Sequence, residues 1–174
     1  MLNPPRSHDD PRWKFLHGVY ISNSIRDSIT TRTGRPVYAA RPTVEQSTTL
    51  WVSLESLLLN IANAYAIGVS EEQHIKNIGE LRSQLSSKCG SFLNENRITF
   101  GVAQKALNSY LKYLWCDCLI PFPPHCPFDS IIINKLKLPP DCEWRWTRGD
   151  EVAYRVWVEA AKEVAGAASA VISY

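Results

Sequence analysis

The chain has 174 residues, of which 45% are hydrophobic and 21% charged, with a formal net charge of +2. That length can bury a core without disulfide or metal staples, and the composition excludes a disordered chain, so one domain over residues 1–174 is the simplest organisation. Charge is unevenly spread: residues 1–42 hold seven Lys/Arg against three Asp/Glu and the other 132 hold twelve against fourteen, a bias that fits a polyanion or an ordinary solvated surface.

The opening MLNPPRSHDDP has no apolar signal-peptide core, and no stretch reads as long enough to cross a bilayer. Five cysteines, an odd number, argue against a disulfide framework. Together these predict a cytoplasmic chain with no membrane partner. Asp10 and Pro11 form a cap and first-turn pair, and Trp13, Leu16, Tyr20 and Ser24 follow at helical spacing, predicting a first helix to about Thr33. Gly34, Pro36 and Pro42 end it. Thr43 can cap a second helix, whose Leu50, Leu54, Leu57, Leu58 and Ile61 make the broadest apolar stripe in the chain. Ser70 and Gln73 have capping-box spacing and open a third helix carrying Ile75, Ile78, Leu81 and Leu85, punctuated by Gly90 and Asn94.

A fourth helix starts near Gly101 and runs to about Cys116, with Val102, Ala106, Tyr110, Tyr113 and Leu114 facing inward. Pro121, Pro123, Pro124 and Pro127 then impose an extended crossing. Asp129 begins an apolar run, Ile131 to Leu138. A Trp-rich loop, CEWRWTRGD, leads to a last helix from about Asp150 into AGAASAVISY. No repeat and no alternating strand pattern is present, so the fold class is all-α: a single-domain helical bundle with a proline-rich loop.

Two short stretches carry the chemistry. GVAQKAL (residues 101–107) followed by PFDSIII (residues 127–133) resembles the signature of the helix-hairpin-helix DNA glycosylases, in which a glycine-rich hairpin leads to a lysine and a P-x-D motif lies downstream. The resemblance covers about a fifth of the chain and is nearest to the archaeal 8-oxoguanine glycosylase branch. It implies a helix-hairpin-helix element, with Lys105 as the nucleophile that attacks the sugar and Asp129 as its acidic partner. One position departs from the pattern, since the second hairpin glycine is Ala103 here.

The positions also make physical sense. Gly101 lies where a turn becomes a helix, so the N–H groups of Gly101, Val102, Ala103 and Gln104 are expected at a helix N-terminus, where free donors and the helix dipole bind phosphate. Lys105 sits about one turn in, where the dipole and partial burial oppose a positive charge, and attack requires a neutral amine. Plainer readings exist for both residues. Lys105, Asn108 and Lys112 share one helix face, as a solvated stripe does, and Lys112 is the substitute if the register is misread. Asp129 is equally suited to a helix N-cap.

A glycosylase must extrude its target base and hold it between flat faces. Trp144 and Trp146, interleaved with Glu143, Arg145 and Arg148, are the base-pocket candidates, with His125 and Phe128 beside them. Their structural reading is a loop latched to the core by tryptophan; Phe122, Phe128 and Trp115 also read as core. Cys116, Cys118, His125, Cys126 and Cys142 offer zinc-compatible atoms at spacings that match no finger or ribbon, so no metal or cofactor is expected. The expectation is a monomeric enzyme that binds double-stranded DNA and excises a base. The resemblance suggests 8-oxoguanine; a hypermodified cytosine such as glucosylated hydroxymethylcytosine, removed in defence against phage, is the other substrate considered. Strand cleavage by β-elimination (AP lyase activity) follows if a Schiff base forms. The alternatives are a non-catalytic DNA-binding module and a helical protein-interaction module that uses the C-terminal helix.

Overall fold

A computed structural model describes residues 10–30 and 36–172. Six α-helices account for most of them, and no strand occurs among the described residues beyond an isolated antiparallel bridge between Tyr38 and Leu93. The protein is all-α, with buried side chains from every helix meeting in one continuous core.

Helix α1, Pro11–Ile29, starts as its sequence dictates: the Asp10 carboxylate accepts from the Arg12 N–H at 2.9 Å, and Pro11 fills a first-turn position that needs no donor. It ends at Ile29, short of the predicted Thr33, because Thr30 is already extended; residues 31–33 lie outside the described residues. Helix α2, Val44–Ala62, buries Leu50, Leu54, Leu57 and Leu58. The complete capping box is here, where Thr43 accepts from the Gln46 N–H and the Gln46 side chain accepts from the Thr43 N–H. At α3, Glu71–Cys89, only half of the expected box forms: Ser70 accepts from the Gln73 N–H, while the Gln73 amide donates to Asn77 Oδ1 instead of returning to the cap.

The sequence expectation about bilayer-spanning length needs correction. Val44–Ile67, which is α2 and the 3-10 turn after it, is a 24-residue stretch long and apolar enough to cross a membrane by length and composition. Its leucine stripe instead packs into the core against the neighbouring helices.

Two short 3-10 turns, Gly90–Phe92 and Asn94–Asn96, join α3 to α4, Phe100–Cys116. Helix α4 begins one residue earlier than expected, because Thr99 is the N-cap and its hydroxyl accepts from the Val102 N–H. It is the central helix, buried along most of its length, with α1 laid against it through a parallel stack of Tyr20 on Tyr113. The apolar run after Asp129 yields only one helical turn, α5, Ser130–Ile133. The chain leaves helical conformation after Asn134, before it reaches Pro139 and Pro140. Helix α6, Glu151–Ile172, closes the bundle by burying Tyr154, Trp157 and Val158 against α4 and the proline-rich loop.

Candidate active site

Lys105 and Asp129 lie 24 positions apart in sequence and meet in space. Lys105 Nζ approaches Asp129 Oδ2 at 3.5 Å, the long limit of a hydrogen bond, with side-chain exposures of 14% and 28%. The amine also stands 4.4 Å above the centroid of the Trp146 ring. Both side chains are therefore sheltered yet keep an edge open to solvent. Asp129 serves as an N-cap as well: Oδ1 accepts from the Ile131 and Ile132 N–H groups, which fixes the carboxylate and leaves Oδ2 aimed at the lysine. The cap and the approach to Lys105 use different oxygens of Asp129.

The loop that carries Asp129 is gripped from α4. The Gln104 amide donates to the Phe128 carbonyl at 2.7 Å and accepts from the Phe128 N–H at 3.1 Å, so one side chain satisfies both backbone groups of a buried residue. One turn later, Asn108 Nδ2 donates to the Cys126 carbonyl and to the Tyr154 hydroxyl, and that hydroxyl is bonded to His125 Nδ1. Burial pushes the Tyr154 hydroxyl far above its ordinary range and lowers His125. Beyond His125 lies His74, its ring edge-on at 4.8 Å and its Nδ1 bonded to Tyr65; burial, then the charge of His125, brings His74 down to about 3. Sequence reasoning missed this polar interior. The signal was an amide pair, Gln104 and Asn108, at i,i+4 on an otherwise apolar helix.

The hairpin differs from expectation. The Gly101 N–H donates to the Gly149 carbonyl, Val102 to the Thr99 hydroxyl and Ala103 to the Thr99 carbonyl, and all four residues from Gly101 to Gln104 are buried. These donors are consumed inside the protein rather than offered to a phosphate. Gly101 is required for a different reason: an added Cβ would lie 1.6 Å from the Trp146 carbonyl oxygen, so only glycine lets the Trp146–Gly149 turn sit against α4. That turn is what brings the Trp146 ring beneath Lys105.

Of the base-pocket candidates, Trp146, His125 and Phe128 are buried, with Phe128 packed edge-on against Tyr154. Trp144 alone is well exposed, its ring beneath the Arg145 guanidinium at 5.6 Å. Trp115 and Phe122, expected in the core, are an exposed edge-to-face pair. Lys112 faces the Tyr113 ring and is exposed, and the amine that meets Asp129 is that of Lys105. All five cysteines are free thiols, and among the described residues no three His, Cys, Asp or Glu side chains gather as a metal site would require.

Comparison with family models, curated proteins and solved structures finds no match to this chain.

Proposed function

We propose that the chain is a DNA N-glycosylase in which Lys105 attacks the sugar C1′ of an extruded nucleotide while Asp129 takes the amine proton and stabilises the developing positive charge on the sugar. The carrying observation is the 3.5 Å approach of a sheltered amine to a carboxylate whose other oxygen is locked by a helix cap. As the new C–N bond forms, the bond from C1′ to the base breaks, its electron pair leaves with the base, and the base is then protonated. Opening of the sugar ring gives a Schiff base on Lys105, whose hydrolysis returns the amine, or whose β-elimination cuts the strand.

Two features support this pairing over an accidental surface contact. A fully exposed pair contributes little and orders two flexible side chains, whereas this one is sheltered, at 14% and 28% exposure. Here the carboxylate is fixed by capping and the amine rests on an aromatic ring held in place by a close glycine contact, which is the preorganisation that nucleophilic catalysis uses. The substrate is a modified base: 8-oxoguanine by the motif resemblance, with glucosylated hydroxymethylcytosine of phage DNA as the second candidate.

The test is base release. Purified protein is incubated with an 8-oxoguanine duplex and with glucosylated phage DNA, and abasic sites are scored. Release from one of them, lowered about a hundredfold to ten-thousandfold by Lys105→Ala, is the expected result. Salt-sensitive DNA binding without release from either substrate identifies a non-catalytic binding module instead.

A further inference from the structure

The proline-rich loop runs back along α4, so its contacts step in opposite directions on the two: Phe122 meets Trp115, the Cys126 carbonyl meets Asn108, Phe128 meets Gln104 and Asp129 meets Lys105. One seam therefore joins the Lys105–Asp129 pair at one end to a pair of aromatic rings at the other. From Lys105 to Trp115 along α4 is about 15 Å, at about 1.5 Å of rise per residue. A stacked strand of nucleic acid covers that length in about four nucleotides, at about 3.4 Å each.

Trp115 and Phe122 are the part of the seam that the core does not explain. They are 40% and 73% exposed and touch each other edge to face at 4.9 Å, a contact that leaves ring faces open to stack. Charge selects the partner that would stack there. Lys112 lies between the two ends, about 20° around α4 from Lys105 at about 100° per residue; it is exposed and makes no ion pair among the described residues. Arg148 is exposed at the Lys105 end, in the turn that sets Trp146 beneath the amine. Nearby carboxylates are engaged: Asp129 by its cap and Lys105, Glu143 by Arg145, while Asp117 has Oδ2 buried. Cations along a seam that ends in open rings match a phosphate chain whose bases are free to stack.

We propose that this seam is the track for a single strand of DNA, with the target nucleotide at Lys105, a phosphate at Lys112 and an unpaired base on Trp115 and Phe122. The track rests on the nucleic-acid partner of the glycosylase reading and not on its chemistry.

The probe is a fluorescent oligothymidylate of about twelve nucleotides, unmodified and so indifferent to which base is excised, titrated with the full chain and followed by anisotropy. Saturable binding is expected. Trp115→Ala and Phe122→Ala each weaken it about tenfold, Trp115→Phe restores part of the loss, and Lys112→Gln lowers the slope of log affinity against log salt by about 0.7. Phe15→Ala removes a ring of similar exposure from α1 and leaves binding at the parent's level. All four positions are exposed, so parental melting temperatures accompany these changes. No binding by the parent, or ring-to-alanine variants that bind as tightly as the parent, overturns the proposal. So does a lowered mass of those variants in light scattering with binding kept, which would assign the rings to a second copy of the chain. Borohydride trapping on an abasic duplex separates the two readings: trapping without ring-dependent binding sinks the track and leaves the chemistry, and ring-dependent binding without trapping does the reverse.

Discussion

Asp129 does two things with two oxygens, and substitution can separate them. Asp129→Ala removes both, so it is expected to lose about 1 kcal/mol of stability with the cap and to abolish most base release. Asp129→Asn keeps an acceptor for the Ile131 and Ile132 N–H groups; its melting temperature should stay near the parent's while base release falls as far as in the alanine variant. An asparagine variant with parental activity would mean that the carboxylate charge has no part in the chemistry. Gly101 is the second informative residue. Gly101→Ala forces a methyl into the Trp146 carbonyl and should cost about 1–3 kcal/mol or more in urea unfolding, with the Trp146 ring displaced from Lys105. Both residues stood out in the sequence, but the reason for Gly101 did not: its partner lies 45 positions away, and a steric requirement across that distance leaves no local pattern.

At the level of elements, the helices were legible because what starts a helix is local. Asp10, Thr43 and Ser70 are caps in the sequence and in the structure, and the α2 leucine stripe faces inward as its spacing predicts. The loop from His125 to Phe128 was not legible, because its fate is set by what α4 offers it. His125 and Phe128, candidates for an exposed pocket, are drawn inside because Gln104, Asn108 and Tyr154 satisfy the polar groups that burial would otherwise leave stranded. This makes Gln104 the hinge of the element's stability. Gln104→Leu leaves the buried Phe128 N–H and carbonyl without partners, an expected loss of about 2 kcal/mol or more in chemical denaturation, together with faster exchange of the Phe128 amide proton. An unchanged exchange rate at Phe128 would show that the loop is held by something else.

Across the whole molecule, the histidine pair ties folding to pH. His74 is lowered to about 3 and His125 is lowered as well, both chiefly by burial, with Tyr65, Tyr154, Glu71 and Lys162 as their titratable surroundings. A histidine whose folded value lies below its unfolded value binds its proton more readily when unfolded. Its contribution is therefore complete above about pH 6.5 and is lost progressively as pH falls from there toward 3. His74 alone should remove about 2 kcal/mol between pH 6.5 and pH 5, read as a falling melting temperature, and His74→Gln should flatten that slope. A parental slope in the variant would place the pH dependence elsewhere. The same bundle that hides these histidines holds the amine and carboxylate together at its surface, and on that meeting the account rests. The direct measurement is borohydride reduction of the protein on a duplex containing an abasic site, a substrate that reports on the nucleophile without depending on which base is removed. The account predicts a covalent protein–DNA band that maps to Lys105 and disappears in Lys105→Ala; a variant that is trapped as well as the parent, or a cross-link that maps to Lys112, would contradict it.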